Sequence, residues 1–137
     1  MSLQQLRSTT QSDGGGAWTA WTPVVTGEGA MTVSGTTVFS ARYLLVGKTM
    51  HLSFYVTGIT LGGTPSSSIK IAIPESKLPA VSTVVAVRAG TPGLAQIPAF
   101  SVTDSSNGFL YLQKADATNW ANASGQGYAA TVTLEVQ

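Results

Sequence analysis

The sequence predicts an all-β domain, a β-sandwich or jelly roll, that follows a short N-terminal arm. From residue 18 onward, apolar and polar residues alternate with a period of two, and residue types that favour strands are frequent. Clusters of Gly, Pro and Ser interrupt these stretches at short intervals. No segment has a convincing helical period of 3.6 residues. Short strands joined by turns are typical of sandwiches and jelly rolls.

The clearest strands form a hairpin. Residues 36–46 and 49–60 both alternate, and Gly47 and Lys48 between them supply a tight turn. In the second strand the residues expected to point inward are Met50, Leu52, Phe54 and Val56. In the first strand one face is expected to carry Phe39, Ala41, Tyr43 and Leu45. The other predicted strands are residues 18–25, 30–34, 68–73, 81–89, 95–102, 108–114 and 128–136.

The chain is expected to have two parts, an arm of residues 1–16 and a β-sandwich domain of residues 17–137. Residues 12–16, which end in three consecutive glycines, have the composition of a flexible hinge. Leu3 and Leu6 are the candidate partner-binding residues of the arm, because they can share one side of a helical turn or fill two pockets. The alternative interpretation is a terminal tail without a binding role.

The composition points to protein partners. Charged residues make up only 9% of the 137 residues, whereas about a quarter is usual in soluble domains. Hydrophobic residues make up 43%, so part of the surface is expected to be covered by other copies, in a homotrimer, or by a larger particle. No apolar run reaches the length of a membrane helix, which argues against a membrane partner. The net charge of +1, from scattered residues, argues against nucleic acid.

No catalytic, metal or cofactor site is predicted, and the protein is expected not to be an enzyme. His51 is the single histidine, and a triad with Asp104 or Asp116 has no local support in the sequence. Zinc needs several Cys, His or carboxylate ligands, and there is no cysteine. The N-terminus lacks the apolar core of a secretory signal, which predicts synthesis in a host cytoplasm.

Four aromatic residues are candidates for a contact surface. Trp and Tyr rings stack well on the apolar faces of sugars and also fill interfaces. Either a glycan platform or packing in the core or between subunits is compatible with the sequence, and packing is favoured. The residues are Trp18, Trp21, Trp120 and Tyr128.

The order of features between residues 18 and 74 resembles β-sandwich modules of phage and prophage virion proteins. The resemblance rests on Trp21-Thr22-Pro23, Ala41-Arg42-Tyr43, Gly47-Lys48, a Gly-Gly-Thr loop and Ile71-Ala72-Ile73-Pro74. Such modules occur in tail-fibre tips and in proteins that decorate capsids. The resemblance implies a trimer on a phage particle, with strands packed around a threefold axis.

Three functions are therefore considered. The first is a capsid decoration, or cement, protein that binds the major capsid protein or another virion protein through its arm and its β-sandwich body, and so lies on the capsid surface. The alternative is a receptor-binding tail-fibre or baseplate tip that recognises a host glycan or protein. A remote alternative is a glycan-degrading enzyme using two of the scattered carboxylates.

Overall fold

The computed structural model describes residues 17–90 and 96–137, and it confirms the predicted all-β class. The arm, residues 1–16, lies outside the described residues. Within the described ranges the regular structure consists of strands and one short 3₁₀ turn, and no helix there is long and apolar enough to cross a membrane. The elements are β1 (Thr19–Ala20), β2 (Val25–Gly27), β3 (Met31–Ser34), β4 (Thr37–Val46), β5 (Thr49–Gly63), β6 (Ile69–Ala72), the 3₁₀ turn (Pro74–Ser76), β7 (Val84–Gly90), β8 (Gln96–Asp104), β9 (Asn107–Lys114) and β10 (Ala123–Glu135).

The strands form one curled antiparallel sheet in the order β1-β4-β5-β10-β7-β8-β9-β6-β2, and β3 pairs with the far end of β5. The join between β10 and β7 is short, because only residues 127–129 of β10 pair with residues 88–90 of β7. Beyond this join the two strands are no longer paired. The sheet therefore has a first half, β1, β3, β4, β5 and β10, and a second half, β7, β8, β9, β6 and β2.

The hydrophobic core lies between the two halves. Alternate residues of each strand point inward, as the pleat requires, and the four inward positions predicted for β5 are all buried. Burying one large aliphatic side chain contributes about 1.5–3 kcal/mol, so this layer supplies most of the driving force for folding. The core includes Met50, Leu52, Phe54, Val56, Val132 and Leu134 from the first half and Ile69, Ile71, Val87, Leu110 and Leu112 from the second.

Two connections hold the halves together away from the join. In the turn between β2 and β3, the Glu28 N–H donates to the Ser68 carbonyl at 3.2 Å, and the Ala30 carbonyl accepts from Thr64 at 3.3 Å. This turn thus links the start of β6 to the end of β5. After the 3₁₀ turn, the chain runs beside the end of β10, where the Ala80 N–H donates to the Glu135 carbonyl at 2.8 Å.

The predicted hairpin of residues 36–46 and 49–60 is present as β4 and β5. The side of β4 predicted for Phe39 is wrong. The register skips a residue between Val38 and Ser40, so Phe39 occupies a β-bulge. Its ring contacts the ring of Tyr55 on the outer face, with centroids 5.2 Å apart. Phe39 therefore does not share the core face with Ala41.

Two other strands differ from their predicted limits. The predicted strand 18–25 is two short strands, because the stretch around Pro23, which has no backbone N–H to donate, interrupts the ladder. Strand β10 begins at Ala123 rather than at residue 128. Its first residues are small or polar and carry little of the alternation by which strands are recognised.

Gly35 and Gly58 allow a sharp bend where β3 passes into β4 along β5. Both have positive φ, 76° and 70°, which residues other than glycine rarely adopt. The two residues also touch. A Cβ added to Gly35 would lie 2.7 Å from the Gly58 carbonyl oxygen, so the close approach of the two backbones excludes a side chain.

We expect Gly35→Ala to lower the free energy of unfolding by about 2–3 kcal/mol, because it adds a backbone clash to the cost of a left-handed alanine. Gly29→Ala is the matched control, since Gly29 has φ 66° and an added Cβ meets no atom within 4 Å. The control should lose only about 1 kcal/mol. Urea unfolding measures both changes, and equal losses would show that the Gly35–Gly58 contact does not constrain the bend.

Candidate functional site

The outer face of the second half is apolar, and we call it the apolar face. One row crosses three strands, from Val84 of β7 through Val102 of β8 to Tyr111 of β9. Val84 is 65% exposed, and Val102 and Tyr111 are partly exposed. The apolar face comprises Val24, Ala72, Val84, Ala86, Phe100, Val102, Phe109 and Tyr111.

Charge is scarce on the apolar face. Lys70 of β6 lies within it, opposite Tyr111, and its Nζ sits 5.0 Å from the centroid of the Phe109 ring. Such a cation–π contact covers the ammonium group partly with apolar surface. Strands that are apolar on both sides are typical of sheets covered on both sides. Exposed apolar surface of this kind is a feature of contact sites in proteins.

A second feature lies on the outer side of the β10–β7 join, and we call it the central groove. It is a small open cleft that encloses about 30 Å³, lined by Tyr55, Thr57, Arg88, Ala89, Gly90, Gln96, Gly127, Tyr128 and Ala129. A shallower depression adjoins it through the shared residues Tyr55 and Ala129 and is lined also by Ser40, Ser53 and Thr131. The combined groove runs across β4, β5, β10 and β7.

Two side chains of the central groove contact neighbouring side chains. The Nε–H of Arg88 donates to Oε1 of Gln96 at 3.0 Å. The Tyr55 ring makes an edge-to-face contact with Phe39, at an interplanar angle of 83°. The groove thus presents a guanidinium and an aromatic ring on either side of Ala129.

The sequence did not single out Arg88, Tyr55 or Gln96. Arg88 is a lone cation in a run of Val and Ala, and an exposed arginine at an outward strand position was the only available signal. Its neighbours in the groove come from β5, β8 and β10. Their proximity depends on strand order, which a single sequence does not specify.

Of the four candidate aromatic residues, Trp120 and Tyr128 are core residues. They are 2% and 1% exposed, and their rings meet edge to face at 5.5 Å. The Trp120 Nε1–H donates to the Leu112 carbonyl at 2.9 Å. Burial raises the pKa of Tyr128, whose hydroxyl has no hydrogen-bond partner in the described part of the chain. For these two residues the structure shows packing in the core, which is the alternative that the sequence favoured over a glycan platform.

The other two candidates lie at the β1 edge of the first half. Trp21 packs edge to face on Phe54, with centroids 6.3 Å apart, and is partly buried against the core. Trp18 is 45% exposed, and the guanidinium carbon of Arg42 lies 4.7 Å from its ring centroid. The four aromatic residues do not form one platform. Leu3 and Leu6 of the arm lie outside the described residues.

The groups considered for catalysis are engaged in separate local structures. His51 Nδ1 lies 3.0 Å from Oγ1 of Thr133 on the neighbouring strand. The Asp104 carboxylate accepts hydrogen bonds from the N–H and hydroxyl of Ser106 at 2.8 and 2.7 Å. The Asp116 carboxylate accepts the corresponding bonds from Thr118 at 3.0 and 2.6 Å. Each aspartate thus closes its own turn.

Metal ligands do not gather within residues 17–90 and 96–137, where no group of three or more His, Asp or Glu side chains could hold an ion. Glu75 lies in the 3₁₀ turn near Tyr43. The pKa of the Tyr43 hydroxyl is raised, first by burial and then by the negative charge of Glu75. This contact ties the 3₁₀ turn to the edge of the first half.

The comparisons with known proteins leave the family open. No family model matches the chain, and no curated protein matches it either. Among solved structures, a reovirus attachment protein, sigma1, determined in complex with alpha-2,3-sialyllactose, is similar with 19% sequence identity and a TM-score of 0.34. The match covers 78% of this chain and 67% of that one. The resemblance to phage virion modules therefore stays a prediction.

The two aspartate turns predict a loss of stability in acid. Hydrogen bonds from Ser106 and Thr118 lower the pKa of Asp104 and Asp116 in the folded chain. A carboxyl whose folded pKa is depressed stabilises the fold above its unfolded pKa of about 3.9 and loses that contribution as pH falls through the folded value. The free energy of unfolding should therefore drop below about pH 4.

The double variant Asp104→Ala, Asp116→Ala should be less stable than the parent at pH 7, and the difference should narrow at pH 2. Thr118→Val, which removes one of the donors to Asp116, should reproduce part of this pattern. Urea unfolding at both pH values measures the difference. A difference that stays constant between pH 7 and pH 2 would contradict the assignment.

Proposed function

We propose that the protein is a non-enzymatic structural component of a phage virion, a homotrimer that decorates the capsid. The observation that carries the proposal is the apolar face, which spans the second half of the sheet. Its residue Val84 is 65% exposed to solvent. Contact with other copies of the chain covers this face. Only 9% of the residues are charged, which suits a protein whose surface is largely shared with neighbours.

A second copy is a better occupant of the apolar face than a small molecule. The face is a broad sheet surface built from Val, Phe, Tyr and Ala side chains, whereas small-ligand sites are concave. Aromatic residues such as Phe109 and Tyr111 are enriched at protein interfaces and are strong contributors to them. In a closed symmetric oligomer each copy buries the same surface, which leaves no apolar surface free for open-ended association.

The absence of enzymatic activity is part of the proposal. Its support is that His51, Asp104 and Asp116 bond to Thr133, Ser106 and Thr118 rather than to one another. A general base must reach the proton that it removes, and a triad requires its members within hydrogen-bond distance. The remote alternative, a glycan-degrading enzyme, needs two carboxylates facing one sugar.

Placement on the capsid follows from the proposed role of the arm, in which Leu3 and Leu6 bind the major capsid protein or another virion protein. The second candidate function is a receptor-binding tail-fibre or baseplate tip. The central groove favours that candidate, since it offers an aromatic ring and a guanidinium on a solvent-exposed surface. Electron microscopy of particles with a labelled antibody distinguishes head from tail.

We expect the protein to be a homotrimer at micromolar concentration and Val84→Glu to convert it to a monomer, because the new carboxylate would be buried unpaired in the contact. Val46→Glu is the matched control, since Val46 is 38% exposed at the end of β4 and lies outside the apolar face. Light scattering after size exclusion gives the masses, and circular dichroism checks the fold. A monomeric parent protein or a trimeric Val84→Glu variant would contradict the proposal.

Deleting residues 2–13 should leave the circular dichroism spectrum and melting temperature nearly unchanged and strongly reduce occupancy on particles. Three arms in a trimer bind together, so loss of weak single contacts is amplified by multivalency. Leu3→Ser with Leu6→Ser should give a milder reduction. Quantitative gel analysis of purified particles measures occupancy. Unfolding of the truncated protein, or full occupancy without the arm, would show that the arm is not the anchor.

A further inference from the structure

We infer that the central groove binds a sugar that carries a carboxylate, with Arg88 as the anion-binding residue and Tyr55 as the stacking ring. The inference concerns the groove wherever the protein sits on a particle, so it does not depend on capsid placement. It rests on four observations. They are the hydrogen bonding of Arg88, the small residues at the floor of the groove, the aromatic ring at its wall and the number of charged residues that line it.

Arg88 is a positioned cation without an acidic partner. Its Nε–H bond to Gln96 is the only side-chain interaction it makes among the residues that the structure describes. This bond orients the guanidinium plane, and the N–H groups of both terminal nitrogens donate to none of the described residues. A guanidinium with two adjacent free nitrogens binds a carboxylate through two parallel hydrogen bonds. Arg88 is therefore prepared for an external carboxylate.

The floor of the groove is made of small residues on adjacent strands. Gly127 of β10 lies opposite Gly90 of β7, and Ala129 of β10 lies between Tyr55 and Arg88. Larger side chains at these positions would fill the space above the sheet. The cleft itself encloses only about 30 Å³, room for one or two water molecules, so a sugar ring would lie across the cleft and the adjoining depression on the surface rather than inside a pocket.

The wall opposite Arg88 is aromatic, and hydroxyl groups continue from it. Tyr55 contacts Phe39, which is 71% exposed, and is itself partly exposed. A partly exposed aromatic ring can stack on the apolar face of a sugar. Ser40, Ser53 and Thr131 line the adjoining depression. Their hydroxyls can both donate and accept, which is what sugar hydroxyl groups require.

The number of charges separates an acidic sugar from other anions. Arg88 is the single charged residue among those that line the two depressions. Nucleic acids and other polyanions bind through several cations at once, and the whole chain has a net charge of only +1. One cation, one aromatic ring and several hydroxyls match a ligand with one carboxylate, an apolar ring face and neutral polar groups.

The test uses the full chain labelled with ¹⁵N and three acids, glucuronic, galacturonic and N-acetylneuraminic acid. Each acid is compared with its methyl ester, which keeps the ring and hydroxyls and removes the charge. We expect at least one acid to shift the backbone amide signals of Arg88, Gly127 and Ala129 in a saturable way. Its methyl ester should bind at least about tenfold more weakly. No saturable shift with any acid, shifts located elsewhere, or equal binding of the esters would overturn the inference.

Variants then assign the contacts. Arg88→Gln should abolish the shifts, and Arg88→Lys should weaken them, because an ammonium group cannot form the two parallel bonds. Ala129→Leu should block the groove while Arg88 and Tyr55 stay in place. Lys48→Gln is the control, since it removes one positive charge from the β4–β5 turn, outside the groove, and should bind as the parent does. Melting temperatures confirm folding, and parental binding by Arg88→Gln or by Ala129→Leu would overturn the assignment.

Discussion

Strand β10 pairs with β5 along most of its length on one side and with β7 over only three residues on the other. This unequal pairing lets the sheet separate into two halves, and the space between them is filled by the core. The same short join sets the outer surface, because it places Arg88 of β7 beside Ala129 and Tyr55. The position of the core and the composition of the central groove thus both depend on where the β10–β7 ladder ends.

The two proposed surfaces share one strand. Val84 and Ala86 of β7 belong to the apolar face, and Arg88 two positions further along belongs to the central groove. All three point outward, because side chains two apart lie on the same side of a strand. An oligomer that covers Val84 would therefore bring its boundary close to Arg88. Grooves of neighbouring copies would then lie near subunit edges, where a branched or repeating glycan could reach more than one.

The sequence was informative where structure is local. The β4–β5 hairpin could be predicted because Gly47 and Lys48 give the turn and the alternation in β5 identifies its buried face. The bulge at Phe39 could not, since a bulge breaks the alternation without any residue type that marks it. The groove could not be predicted either. Tyr55 and Ala129 are neighbours only through the register of two distant segments, and a single sequence does not specify that register.

The long β5–β10 ladder also has a consequence for how the chain folds. The β4–β5 and β8–β9 hairpins join segments that are adjacent in the sequence, and such local pairs form on a microsecond timescale. Strand β10 must instead find β5 across most of the domain, and closing so large a loop slows the reaction. Until it does, β5 presents an open edge and an apolar side, the kind of surface on which newly made chains associate wrongly. If many copies are made rapidly in one cell, aggregation is most favoured during this interval, before β10 has paired with β5.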